Sequence, residues 1–229
     1  MLKRAFDMLL SGVGLIVSLP LWGIIGLAVK LSDGGPVFYR QQRVGKDGRV
    51  FTSLKFRSMV PDSEQKWGVA PAAAHDPRIT KVGKVLRATA MDELPQLWNI
   101  LRGDMSFVGP RPEWVELAKR FRAEIPPYDL RHKVRPGLTG LAQIYGHSEM
   151  SRRRKLRYDL LYARRQSFWL DIRLILLSFA VTFTGRWELR EAKVLRPYQR
   201  RHGKPAPAVT AWPGKAMLSN DLSQSPPSP

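Results

Sequence analysis

Asp92 and Glu93 are the residues of this chain best placed by type and spacing to do chemistry. They stand side by side just ahead of Pro95, a residue tolerated in the first turn of a helix but not in its interior. Leu94, Leu97, Trp98 and Leu101 then recur at i, i+3, i+4 and i+7, which predicts a helix with these four on its buried face. Gly103 stands where such a helix would stop. The acid pair therefore belongs at the positive end of a helix dipole, with lysines and arginines nearby. Two uses fit that position: capping of the first turn, which is the ordinary one, and catalysis by a carboxylate that is ionised at neutral pH and needs no general base.

The flanking pattern supplies cations to the same region. Residues 37–41 and 50–56 read as two strands around Lys46-Asp47-Gly48, a hairpin signal. Period two places Lys55 and Arg57 on one face of the second strand, as a phosphate cradle or as a solvated basic face. Residues 61–80 look like a loop rich in Pro, Ala and Asp. Residues 113–124 form a helix ended by Pro126-Pro127. Residues 152–165 form a strongly basic one with Leu156, Leu160 and Leu161 inward. Residues 168–184 are apolar apart from Asp171 and Arg173 and suit either an interfacial helix or a buried core helix. From about Gly203 the Pro, Ala and Ser content predicts a disordered tail, and no internal repeat is evident.

The chain of 229 residues has 38 Lys and Arg against 19 Asp and Glu, a net charge of +19 that calls for an anionic partner. Nucleic acid, anionic lipid and a phosphate-rich substrate all qualify. There is no cysteine, hence no disulfide framework and no thiolate site. The N-terminus chooses among the partners. No charged residue occurs from Met8 to Val29, a stretch long enough to cross a bilayer of about 30 Å. Lys and Arg lie on both flanks, however, and Pro20 sits near the centre. The pattern predicts a helix that enters one leaflet, bends at Ser18-Leu19-Pro20 and returns to the same side. A straight single span is the competing reading. A signal peptide is disfavoured, because no small-residue cleavage site follows Leu31.

Collinear motifs extend these observations. Gly35-Pro-Val-Phe-Tyr-Arg-Gln-Gln-Arg-Val-Gly45 and Lys55-Phe-Arg-Ser-Met59 are followed by Asp92-Glu-Leu-Pro-Gln-Leu97, Gly103-Asp-Met-Ser106 and Gly109-Pro-Arg-Pro112. Then come Arg131-His-Lys-Val-Arg-Pro-Gly137, Thr139-Gly140, Lys155-Leu-Arg-Tyr-Asp159 and Tyr162. Over roughly residues 3 to 187 the chain resembles the bacterial sugar transferases, the monotopic phosphoglycosyl transferases. It departs at Leu141-Ala-Gln-Ile-Tyr-Gly146, where the family usually reads Trp-Ala-Gln-Val-Asn-Gly.

The resemblance implies a helix-dominated α/β fold. Residues 1–35 would be a re-entrant membrane helix, residues 36–202 the catalytic domain, and residues 203–229 the Pro/Ser/Ala-rich tail. It implies transfer of a sugar 1-phosphate from a UDP-sugar to undecaprenyl phosphate, with Asp92 as nucleophile, UMP released, and Glu93 helping to hold Mg²⁺. Lys55, Arg57, Arg87, Arg111, Arg131, Arg135 and Gln143 are the phosphate and substrate candidates, Arg87 as a brace for Asp92. Arg111 has a backbone stiffened by Pro110 and Pro112. His132 is either a proton shuttle or structural. The expected setting is the cytoplasmic face of the bacterial inner membrane, against anionic lipid, with downstream glycosyltransferases as partners and no nucleic acid. A membrane-anchored Mg-dependent phosphodiesterase and a basic nucleic-acid-binding protein are the rival readings. The latter lacks an aromatic RNA-binding signature or zinc-finger spacing.

Overall fold

The computed structural model describes residues 2–63, 66, 76–146 and 150–184. The boundary expected near residue 202, the tail over 203–229 and much of the loop expected over 61–80 lie outside these residues. Helix α1, Leu2–Asp33, runs unbroken through Pro20. Ser18 Oγ donates to the Leu15 carbonyl at 3.2 Å and accepts from Trp22 Nε1 at 3.1 Å. Side-chain bonds thus hold the turn in which the proline ring removes a backbone bond.

One face of α1 is apolar and exposed, including Leu9, Ile16, Val17, Leu19, Ile24, Leu27 and Leu31. In length and composition the helix is able to span a membrane. Its other face docks on the domain at both ends. Arg4 donates to the Ile100 and Leu101 carbonyls at 2.6 and 2.8 Å, closing the orphan end of the helix that follows the acid pair. Lys3 pairs with Asp171 at 2.5 Å, and Asp7 accepts from Ser106 Oγ and the Phe107 N–H. Near the other end, Ile25 and Val29 are buried with Phe56 and Leu86.

Strands β1 (Phe38–Val44) and β2 (Val50–Phe56) form the expected antiparallel hairpin, with Tyr39 opposite Lys55 and Arg43 opposite Phe51. Asp47 and Gly48 both take positive φ at its tip. Helix α2 (Lys81–Ala88) is capped by the Thr80 side chain, which accepts from Gly83 N. The acid pair follows on a single-turn helix, Met91–Glu93, and then comes α3, Gln96–Arg102. Gly103, at φ 96°, ends α3 as its position in sequence suggests.

The buried face of α3 differs from the expected stripe. Gln96, Leu97, Asn99 and Ile100 are buried, whereas Trp98 is 43% exposed. The reason is polar. The Asn99 side chain accepts from Leu54 N and donates to the Thr52 carbonyl, so it pairs with the backbone of β2 as a short strand would. Leu97 and Ile100 complete the contact with Phe51 and Met105.

Strand β3 (Ser106–Val108) pairs in parallel with β4 (Gly137–Thr139). They approach so closely that a Cβ on Gly137 would lie 2.1 Å from Gly109 N. Between them run α4 (Val115–Glu124) and a helical segment, Pro126–Lys133. Helices α5 (Leu141–Tyr145), α6 (Arg152–Arg165) and α7 (Phe168–Thr184) complete the described chain. The basic helix buries Leu156 and Leu160 but leaves Leu161 42% exposed. On α7, Leu174 is buried while Trp169, Leu176 and Phe179 are exposed, so this helix has both a core face and an outward apolar face. The architecture is helix-dominated α/β with two small sheets.

Candidate active site

The acids are delivered by a reversal of the chain. Ala90 adopts φ 55°, an uncommon conformation for a residue with a Cβ, and turns the end of α2 into the Met91–Glu93 segment. Asp92 is buried there, and burial raises its carboxyl above the ordinary value. Glu93 adds to that rise, while Lys55, Arg87 and Arg111 oppose it. Glu93 is held differently. Its Oε1 accepts from Lys55 Nζ at 2.5 Å and from Arg111 Nη2 at 2.8 Å. Burial alone would raise the Glu93 carboxyl, but the two cations together hold it well below the usual carboxylate range. Lys55 is drawn down from its ordinary value by burial, with Glu93 acting against the shift.

Arg111 reaches Glu93 from a stiff segment. Prolines on both sides restrict the backbone, and both nearby carbonyls are held. Arg131 Nη2 donates to the Arg111 carbonyl at 2.8 Å, and Arg43 Nη1 donates to the Pro112 carbonyl at 2.8 Å. The Arg111 side chain remains half exposed, so its tip is open to a ligand. Lys55, Arg87, Asp92, Glu93 and Arg111 thus form one constellation. Arg87 Nη1 makes a long contact of 3.4 Å to Ser58 Oγ, and its charge bears on Asp92.

Other expected site residues lie elsewhere. Strand β2 ends at Phe56, so Arg57 turns away from Lys55. It donates to the Pro36 and Met59 carbonyls and forms an ion pair with Asp33 at the end of α1. Arg57 is a tie between elements and not part of a phosphate cradle. Arg131 is buried behind the site, bonded to Asp159 at 2.8 Å and to Tyr128 Oη at 3.2 Å. It holds the Arg111 carbonyl and lines a small pocket together with Pro110, Arg111 and Pro112. Arg135 Nε donates to the Gly103 carbonyl at the end of α3. Gln143 Nε2 makes only long contacts, 3.4 and 3.5 Å, to the Gly109 and Gly137 carbonyls. His132 is buried edge-on against Tyr128, and burial first, then Arg131, pushes its ring down to about 4. It is a neutral packing residue at pH 7. In the divergent stretch over 141–146, Ile144 is buried with Val108, Val134, Tyr162 and Leu174, and Tyr145 lies against Tyr158, away from the acids.

Two residues escape the sequence reading. Asp159 is 28 positions from Arg131 and is its buried counterion. Arg43 reads as one more flanking cation, yet the strand register carries it onto the same face as Lys55. Among the described residues no group of three or more His, Cys, Asp or Glu could hold a metal ion.

The sequence model of a family described as bacterial sugar transferase matches residues 1–185. The chain is 46% identical over 190 residues to the UDP-glucose:undecaprenyl-phosphate glucose-1-phosphate transferase of Klebsiella pneumoniae, covering 80% of this chain and 40% of that protein. It is 41% identical to the UDP-N-acetylgalactosamine-undecaprenyl-phosphate N-acetylgalactosaminephosphotransferase of Aeromonas hydrophila, covering 80% and 44%. It is also 41% identical to the exopolysaccharide production protein ExoY of Rhizobium meliloti (strain 1021), covering 81% and 87%. The chain spans about two fifths of the length of the first two relatives.

Proposed function

The chain belongs to the bacterial sugar transferase family, and on that premise we propose that it moves a sugar 1-phosphate from a UDP-sugar to undecaprenyl phosphate in two steps. An Asp92 carboxylate oxygen attacks the sugar-linked phosphorus, and the bond from that phosphorus to the bridging oxygen breaks to release UMP. An oxygen of undecaprenyl phosphate then attacks the same phosphorus and the Asp92 carboxylate leaves, giving the lipid diphospho-sugar. Both nucleophiles are anions, so neither step needs a general base. What must be supplied is positioning and positive charge. Lys55 and Arg111 supply both, because the two cations converge on Oε1 of the residue beside the nucleophile.

The observation that carries this reading is a buried aspartate next to a glutamate that two cations already hold ionised. The pair divides the labour: Glu93 fixes the cations, and Asp92, with no cation within ion-pair distance among the described residues, is left to react.

The donor set fits Mg²⁺, a hard ion that takes one or two carboxylates and completes its shell with water and substrate phosphates. Both ion pairs of Glu93 fall on Oε1, so Oε2 is the oxygen that would hold the ion. Magnesium bound there would neutralise charge on the diphosphate.

The membrane reading rests on α1. Its outward face is apolar, yet Lys3 and Arg4 at one end and Ile25 and Val29 at the other contact the same domain. A helix bound at both ends to one domain has both ends on one side of a bilayer. That supports a re-entrant or surface-lying helix on the cytoplasmic face of the inner membrane.

The test is to incubate the full chain with a panel of UDP-sugars, starting with UDP-glucose, and Mg²⁺ without lipid. Stoichiometric UMP and a sugar-phosphate adduct on Asp92 by mass spectrometry are expected. Asp92→Asn should give neither while remaining folded, and an Asp92→Asn enzyme with the parent's rate would end the covalent mechanism.

A further inference from the structure

We propose that Arg43 is a phosphate-binding residue of the active site, acting beside Arg111 on a phosphoryl group of the nucleotide donor or of the lipid acceptor. The proposal rests on the transferase reading above. Geometry places Arg43 there twice over. The end of β1 is joined to the segment after Arg111 by a bridge between Arg43 and Trp114 and by the bond from Val44 N to the Glu113 carbonyl at 3.0 Å. The guanidinium itself lies over the Trp114 ring, 5.1 Å from its centre. Arg43 and Arg111 are therefore presented from two locally rigid backbones, and each is near enough to Glu93 to feel its charge.

The charge inventory around this point is incomplete. Lys55 and Arg111 share the single carboxylate of Glu93. Glu113 is taken by Arg152, and Asp159 by Arg131. Arg43 has no carboxylate within ion-pair distance among the described residues. Its Nη1 is spent on the Pro112 carbonyl, and its Nε is buried without a hydrogen-bond partner. A desolvated guanidinium beside a second one is unfavourable until an anion arrives, and the edge formed by Nε and Nη2 is the side-on fork that grips two oxygens of a phosphate. Consistent with this crowding, burial and then Arg111 lower the Arg43 guanidinium to about 10.

The experiment compares the parent chain with Arg43→Gln and Arg43→Lys in detergent micelles. One arm titrates UMP by calorimetry; the other measures KM for undecaprenyl phosphate. Arg43→Gln should weaken one of the two by about tenfold or more, as expected for a lost charge-assisted contact. Arg43→Lys should lie between. Loss in the UMP arm assigns the phosphate to the nucleotide, and loss in the lipid arm assigns it to the acceptor. If Arg43→Gln fails to fold, Arg43→Lys decides. Folded variants that melt lower but keep both constants within twofold of the parent would show a purely structural brace and overturn the proposal. A parent chain that neither binds UMP nor releases it from any UDP-sugar would instead defeat the transferase reading.

Discussion

Arg131 and Asp159 offer the sharpest separation of stability from function. Each is 5% exposed, and they share bonds of 2.8 and 2.9 Å to one carboxylate oxygen. Asp159→Asn leaves a buried guanidinium without its counterion, a loss of about 3–5 kcal/mol. For a domain of this size each kcal/mol is worth about 2–4 °C, so the melting midpoint should fall by roughly 6–20 °C. Replacing both charges, in Arg131→Met with Asp159→Leu, removes the unpaired charge and should return stability close to that of the parent. The double variant still lacks the donor to the Arg111 carbonyl. Arg111 would then be aimed less well, and turnover should stay depressed by about tenfold to a hundredfold. Differential scanning fluorimetry in micelles reads the first quantity and UMP release reads the second. A single variant melting within about 2 °C of the parent would refute the buried-charge argument. A double variant with full turnover would refute the claim that Arg131 positions Arg111.

Four further outcomes follow from the same geometry. Because burial raises Asp92 above its ordinary value of 3.8, kcat/KM should fall as pH drops through that raised value, and an acid limb at or below 3.8 would count against a buried nucleophile. Glu93 shifts the other way: its stabilising contribution is complete above its unfolded value near 4.5 and is lost as pH falls toward the lower folded one, which acid-unfolding curves of Glu93→Gln against the parent would measure. Chelation by EDTA should abolish turnover and added Mg²⁺ restore it, whereas full activity in chelator would remove Glu93 from a metal-binding role. Since the chain has no cysteine, Leu2→Cys and Lys46→Cys can be probed without background; both should resist an impermeant thiol reagent in intact spheroplasts and react after lysis, and labelling at position 2 alone in intact cells would establish a straight span.

The legible parts of this molecule were the local ones. The hairpin around Lys46–Gly48, the stop at Gly103 and the limits of α6 and α7 each depend on turn residues or periodicity within a few positions. The acid pair stood out for the same reason. Side-chain destinations were not legible, because they depend on what folds back from afar. Period two puts Lys55 and Arg57 on one face, but the strand ends between them and Asp33 captures the second cation. The apolar stripe of α3 failed at Trp98, because Asn99 found the backbone of β2, which no helical pattern anticipates. Arg131 read as a phosphate-site candidate, and its buried partner Asp159 came from 28 positions away; Arg43 read as one more flanking cation until the hairpin register carried it onto the face of Lys55.

The first helix also bears on how this protein can be made. It turns Lys3, Arg4 and Asp7 toward the domain, bonded to Asp171, the α3 carbonyls and β3, while Leu9, Ile16, Leu19, Ile24, Leu27 and Leu31 face out. Deleting the helix to obtain a water-soluble form would strip Asp171 of its counterion, reopen the C-terminal end of α3, and uncover Phe56 and Leu86. The helix that is apolar enough to enter lipid is therefore also part of the domain's own fold, and a truncated chain should emerge as aggregate and not as a tractable soluble form.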